Sequence, residues 1–225
     1  MKNFSDQKIV QSWRKNAQPW VTAVRQGEIE SRVLVTNQAI IDAVLARAPK
    51  TVLDVGCGEG WLVRELGKSG INSLGVDVVQ GLIDSAKRAG GGRFRLLAFE
   101  ELSREVVNEK FDVMVANFSL LGNESVSHVF QQAPILLNAG GALIVQTLHP
   151  VAGCGAGKYA DGWREGSWAG FSEQFNDPAP WYFRTLETWK SLFQERGLRL
   201  SEIVEPLNPK TKIPASVIFT GVFAG

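Results

Sequence analysis

The chain has 225 residues, enough for one domain with an appendage and a proper hydrophobic core. Apolar residues make up 44% and charged residues 21%, and the net charge is +1 with Lys and Arg spread along the chain, so the basic footprint of a protein that works mainly on nucleic acid is missing. The N-terminal MKNFSDQKIVQSW lacks the apolar run of a signal peptide, and no stretch reaches the roughly 20 apolar residues that span a bilayer, so a cytoplasmic chain is expected.

From Ser5 to about Pro49 the pattern is helical. Ile40, Ile41, Val44 and Leu45 fall on one face of a helix that Pro49 helps to end. Trp13 and Trp20 sit in a stretch too polar to form a core alone, which therefore packs onto something else. From Lys50 onward, strands and helices alternate. TVLDV predicts a strand, WLVRELGKSG a helix closing on Gly70, INSLGVD a strand, QGLIDSAKRAGGG a helix and RFRLLAF a strand. A short helix is expected between Leu102 and Val107, then FDVMVANF as a buried strand. NESVSHVFQQAPILLNAGG predicts a helix bent or broken near Pro134, and ALIVQTLH another buried strand. Near-continuous apolar strands separated by helices imply a parallel sheet covered on both faces. Pro150 to Phe183 is rich in Gly and aromatics with no clear period, and a loop of that length is usually a functional element. TLETWKSLFQERG then resumes as a helix, and LRLSEIVEP and PASVIFTGVFA predict an antiparallel closing hairpin.

The most informative stretch is TVLDVGCGEGWL, where a strand runs into Gly56, Gly58 and Gly60 and then into a helix. Glycines let backbone approach a ligand and adopt positive φ, and a helix N-terminus presents free N–H groups. Asp77 ends the next strand about 20 positions beyond Gly56, the distance at which an acid can accept hydrogen bonds from ribose hydroxyls. It disfavours a cofactor with a ribose 2′-phosphate. Cys57 lies inside the loop, and neither it nor Cys154 has a CxxC partner, which predicts a reduced chain with no structural metal.

DVGCGEG followed by GVD, FDVMVANFSLL and NAGGALIVQTLHP resembles the motif series of class I S-adenosylmethionine-dependent methyltransferases of the small-molecule type. The resemblance implies a Rossmann-like three-layer α/β sandwich: a mostly parallel seven-stranded sheet, an antiparallel closing strand and an N-terminal helical extension. Residues 1–48 would form that extension, and 49–225 the cofactor-binding domain with an aromatic-rich insertion at about 150–184. It implies that Asp54, Gly56, Cys57, Gly58 and Gly60 form the loop around the methionine part of the cofactor, and that Asp77 holds the ribose. Val78 would offer an apolar face to adenine or serve as a core valine. Asn117 would stand near the sulfonium or merely cap its strand. Many members carry a run like DAEDL, whose Asp accepts from the adenine amino group. Here the run is AFEEL, with Ala98 in that place. Phe99 would flank the adenine, and Glu100 either substitutes for the missing Asp or starts a helix.

Methyl transfer requires an aligned nucleophile, exclusion of water and sometimes removal of a proton. His149 follows a predicted strand on the ligand edge, where an imidazole can act as a base or simply bond backbone. His128 lies mid-helix and reads as a packing or surface residue. The insertion holds Tyr159, Trp163, Trp168 and Tyr182, suited to a lid over an apolar pocket or to a satellite core. Arg164 and Arg184 could meet an anionic substrate group. The leading expectation is an enzyme that moves a methyl group from S-adenosylmethionine to an O, N or C acceptor on a small molecule, leaving S-adenosylhomocysteine. It would act without nucleic acid or membrane, as a monomer or homodimer. The alternatives are an NAD-dependent oxidoreductase, against which the GxGxG spacing speaks, and a module that binds S-adenosylmethionine without chemistry.

Overall fold

A computed structural model describes residues 4–155 and 157–225. The chain opens with helix α1 (Asp6–Arg25) and a π-helical turn at Arg32–Thr36 that leads into α2 (Asn37–Leu45). Gly27, at φ +67, turns the chain between them. The helical pattern expected from Ser5 to about Pro49 is therefore two helices with a distorted junction.

Strand β1 (Thr51–Val55), helix α3 (Trp61–Lys68), β2 (Asn72–Asp77), α4 (Gln80–Ala89) and β3 (Arg93–Leu96) follow as alternating units. Then come α5 (Arg104–Val107), β4 (Phe111–Asn117), α6 (Glu124–Leu136) and β5 (Leu137–Thr147). Within the insertion lie the short α7 (Pro150–Gly153) and a two-stranded antiparallel ribbon of β6 (Gly162–Arg164) and β7 (Trp181–Phe183). Helix α8 (Leu186–Glu195) precedes the closing pair β8 (Leu198–Val204) and β9 (Val217–Phe223).

The seven strands of the main sheet are ordered β3-β2-β1-β4-β5-β9-β8, and β9 runs antiparallel to both of its neighbours. Side chains alternate across such a sheet. Leu53, Val55, Met114 and Val145 therefore face α6 and α8, where Phe130 and Phe193 meet edge to face at 4.9 Å. Val52, Val113, Val115 and Ile144 face the other way, onto Ile40 and Val44 of α2 and Leu62 and Leu66 of α3. Phe130, Phe193, Leu62 and Leu66 are all but fully buried, and each such side chain stabilises the fold by about 1.5–3 kcal/mol. The Rossmann-like α/β sandwich with its antiparallel closing strand is the architecture expected.

One predicted boundary is displaced. Helix α6 runs through Pro134 and stops at Leu136, so LNAGG opens β5 instead of extending the helix. Leu137 pairs with Phe111, the register shifts before Val113, and Asn138 Nδ2 donates to Asp112 Oδ1 at 2.8 Å. A bulge of this kind lets glycine-rich backbone continue a ladder. It leaves the opposite ends of β1, β2 and β4 aligned, and those ends carry the site.

Candidate cofactor site

Backbone geometry explains the glycines. Gly56 and Gly60 sit at φ +79 and +83, in the left-handed region. A Cβ on Gly56 would stand 2.3 Å from Ser119 Cβ, and one on Gly60 would stand 2.5 Å from the Phe94 ring. The loop is pinned by Gly56 and Cys57 amides that donate to Val76 O at 2.8 and 2.9 Å. Cys57 is buried against Gly75 and acts as packing, with burial pushing its thiol well up.

Asp77 closes the loop from the next strand. Its Oδ2 accepts from Gly58 N and its Oδ1 from Val79 N, each at 2.9 Å. Burial pushes its carboxyl up to about 6, against the pull of the Val79, Gly58 and Val78 amides. Asp54 lies deeper, and burial together with the Asp77 charge lifts it to about 8, with Arg32 opposing. The folded Asp54 holds its proton up to about 8, while an unfolded Asp releases it near 3.8. Its contribution to stability is therefore complete at low pH and is lost as pH rises from about 4 to 8. The ligand-free Asp54→Asn variant is expected to lose most of that decline, and thermal melts at pH 5 and 8.5 check it; equal declines would contradict the assignment.

Of these groups, Gly56, Gly58 and Asp77 line a cavity of about 120 Å³, whereas Asp54, Cys57 and Gly60 lie outside its lining. Gly56 and Gly58 form one wall and Asp77, Val78 and Val79 the next. Phe99 and Glu100 come from a 3₁₀ turn, and Asn117, Phe118 and Ser119 from the end of β4. Asp6, Ile9, Val10, Trp13 and Trp20 of α1 complete it. Phe118 stands at φ +54, unusual for a bulky residue, in a corner held by Phe118 N to Gln146 O at 2.8 Å and Ser119 Oγ to Val55 O at 2.5 Å. Buried Gln146 donates to Asn117 Oδ1 at 2.7 Å and to Thr36 O at 3.0 Å, which fixes the amide of Asn117 at the cavity edge. An apolar slot beside a buried carboxylate and an exposed glycine backbone suits a nucleoside with a polar tail.

A family model for a methyltransferase domain matches residues 30–203. The chain belongs to that family. The human mitochondrial ubiquinone biosynthesis O-methyltransferase is 31% identical over 182 residues, covering 70% of this chain and 44% of that protein. The malonyl-[acyl-carrier protein] O-methyltransferase of Legionella pneumophila is 28% identical over 149 residues, covering 63% and 50%. The chain thus spans about half the length of these curated relatives. Among solved structures, magnesium protoporphyrin IX methyltransferase of Synechocystis with bound S-adenosylmethionine superposes with a TM-score of 0.66 at 14% identity, over 99% of both chains. The resemblance in the sequence motifs is borne out, and the oxidoreductase alternative is not favoured.

In this methyltransferase-family domain, several residues that sequence reasoning did not single out do structural work at the site. Glu59, inside the loop and 1% exposed, binds Arg64 at 2.6 Å and Arg25 Nε at 2.8 Å, tying the end of α1 to the loop. Asp6 accepts from Asn123 N and Ser125 N at 2.8 and 2.7 Å, tying the start of α1 to α6. Arg25 is remote in sequence from Glu59, and Asn123 from Asp6, so no local spacing marks these pairs.

His149 lies elsewhere, in a smaller cavity with Tyr182 and Arg184. Its Nδ1 accepts from Ala152 N at 3.2 Å as the N-cap of α7, and its Nε2 stands 3.0 Å from Glu205 Oε1. Of the two readings given for His149, the arrangement supports the side chain that bonds backbone: Nδ1 accepts from the Ala152 amide and Nε2 faces Glu205. His149→Ala is expected to lower stability by about 0.5–2 kcal/mol, the range for a lost cap, with turnover within about threefold of wild type. A hundredfold loss of turnover with unchanged stability would contradict this.

The insertion residues form a satellite cluster. Arg184 is buried and donates to Gly122 O at 2.8 Å and Asn123 O at 3.2 Å, with burial lowering it to about 10. Arg164 donates to Cys154 O and Lys158 O and lies 3.8 Å over the Phe183 ring. Backbone carbonyls and aromatic rings engage both guanidinium groups. Tyr159 Oη bonds Leu186 N and Glu187, Trp163 packs edge to face on Tyr182 at 5.6 Å, and Trp168 backs Trp13 at 5.7 Å. Of these, Trp168 is joined to the main cavity, through Trp13. His128 bonds Leu102 O from the middle of α6. Among the described residues, no helix is long and apolar enough to cross a membrane.

Proposed function

We propose that this methyltransferase moves the methyl group of S-adenosylmethionine to an O, N or C atom of a small molecule. The observation that carries the reading is Asp77, fixed by two amides on the wall of a cavity whose next wall is the bare backbone of Gly56 and Gly58. When bound, the cofactor supplies a methyl group on a sulfonium, and S-adenosylhomocysteine is the leaving product. Asp77 accepts the ribose hydroxyls, and Val78 and Phe99 flank the adenine. Ala98 offers no side-chain acceptor, and Glu101 is turned back to the Ala98 amide. Glu100, on the cavity wall, takes the adenine amino group instead. Asn117, fixed by Gln146, stands at the reacting end, and Asp54 with Gly60 supports the loop from behind.

Residues 1–48 act as the cover, with Trp13 and Trp20 excluding water so that the nucleophile meets a dry, aligned carbon. The near-neutral net charge supports a small acceptor over nucleic acid, and the reading includes a cytoplasmic site of action as monomer or homodimer. The test is S-adenosylhomocysteine release from S-adenosylmethionine across a panel of phenols, amines, carboxylates and activated carbons. Acceptor-dependent release supports the reading. Tight cofactor binding with no turnover on any acceptor would favour the non-catalytic module instead.

A further inference from the structure

The end of β4 carries an amide whose direction is set by a chain of buried groups. Gln146 of β5 is 1% exposed, and its Nε2 donates to Thr36 O at 3.0 Å and to Asn117 Oδ1 at 2.7 Å. Thr36 O is a backbone carbonyl and can only accept, so the amino group of Gln146 must face it. On its other side, Gln146 Oε1 accepts from the hydroxyl of fully buried Ser216 at 3.5 Å. The second N–H of Gln146 then points at Asn117, which must turn its oxygen inward to receive it. Asn117 Nδ2 is left at the cavity edge, and no hydrogen bond joins it to another of the described residues.

Asn117 is the one carboxamide among the described residues of the cavity wall. The carboxylates of Asp6 and Asp77 there accept from backbone amides, and Ser119 gives its hydroxyl to Val55 O. A donor at the reacting end selects the nucleophile. A neutral amine has a single lone pair and needs it for the methyl group, so an N–H aimed at that nitrogen competes with transfer. An oxygen can accept from Asn117 through one lone pair and attack through another. We infer that Gln146 is a positioning residue that presents Asn117 as a donor, and that the methyl acceptor is an anionic oxygen, a carboxylate or a phenolate. The inference rests on the methyl-transfer reading above. Such an oxygen arrives ionised and has no proton to lose. It forms the O–CH3 bond as the CH3–S bond breaks, and the electron pair of that bond stays on sulfur, leaving the neutral thioether of S-adenosylhomocysteine. A hydrogen bond to an ionised oxygen is of the stronger kind and holds the nucleophile in line.

The test applies the acceptor panel to wild type and to variants. Wild type should release S-adenosylhomocysteine with carboxylates or phenols; turnover on amines or activated carbons at an equal or higher rate overturns the inference. Gln146→Met keeps the length of the side chain without its donor. It is expected to lower kcat/KM for the best acceptor by about ten- to hundredfold, the range for a lost hydrogen bond to a charged group, while S-adenosylhomocysteine affinity by calorimetry stays within about twofold. In an Asn117→Ala background the same substitution should cost less than about twofold more, because the two residues act through one amide. A full second loss, or equal weakening of S-adenosylhomocysteine, would show a merely structural role and overturn the inference, as would an unchanged kcat/KM. If Gln146→Met does not fold, Asn117→Asp decides the matter. One of its oxygens still accepts from Gln146 and the other puts an acceptor where the donor was, so oxygen acceptors should lose at least about tenfold, and an unaltered rate overturns the inference. Wild-type protein that binds S-adenosylhomocysteine but turns over no member of the panel would overturn the methyl-transfer reading itself, an outcome distinct from failure of the Asn117 contact alone.

Discussion

Gly56→Ala is expected to lower the unfolding free energy by about 2–5 kcal/mol and to abolish measurable S-adenosylhomocysteine binding. Two effects add. Alanine at φ +79 is strained by roughly 1–2 kcal/mol, and its methyl would stand 2.3 Å from Ser119 Cβ. Relief requires Ser119 to move, which breaks its bond to Val55 O and shifts the corner at Phe118 that forms the cavity wall. Gly70→Ala separates the two effects. Gly70 has nearly the same φ, +77, but no neighbouring atom stands within 4 Å of where its methyl would lie. It should therefore show the backbone cost alone, with binding intact. Denaturant unfolding and titration of both variants check the pair; a Gly56→Ala protein as stable as wild type would contradict the crowding.

Asp77→Ala is expected to weaken S-adenosylhomocysteine by about 1–3 kcal/mol. The ribose loses its acceptor, and the amides of Gly58 and Val79 lose theirs, so the loop loosens as well. Asp77→Asn tells these apart, because its one carbonyl oxygen still holds one amide. The same carboxyl sets a pH dependence. Since burial raises Asp77 to about 6, wild-type affinity should fall as pH drops through that value, and the fall should vanish in Asp77→Asn. Calorimetry between pH 5 and 8 checks both. Unchanged affinity in Asp77→Ala would remove this residue from the site.

What the sequence displays well is what short-range physics determines. The strand, the three glycines and the acid ending the next strand form one local unit, bonded internally through Val76 O and Asp77. The near-continuous burial of β1 and β4 follows from their apolar runs for the same reason. The cover over the cavity is different. Asn16, fully buried in α1, holds the backbone of Asn176 through Nδ2 to O at 2.7 Å and Oδ1 from N at 3.0 Å. Arg25 reaches Glu59, and Asp6 reaches Asn123. Each pair joins segments far apart in the chain, and a polar residue on a polar helix carries no mark of its distant partner. His149 and Arg184 show the converse. Residue type and position after a strand suggest chemistry, whereas the bonds these side chains make, to a free N–H group of α7 and to the carbonyls of Gly122 and Asn123, depend on tertiary packing.

The most direct measurement is calorimetric titration of the purified chain with S-adenosylhomocysteine and, separately, with NAD. S-adenosylhomocysteine should bind at one site per chain and raise the melting temperature, while NAD should do neither. Binding of NAD without binding of S-adenosylhomocysteine would contradict the assignment of this cavity.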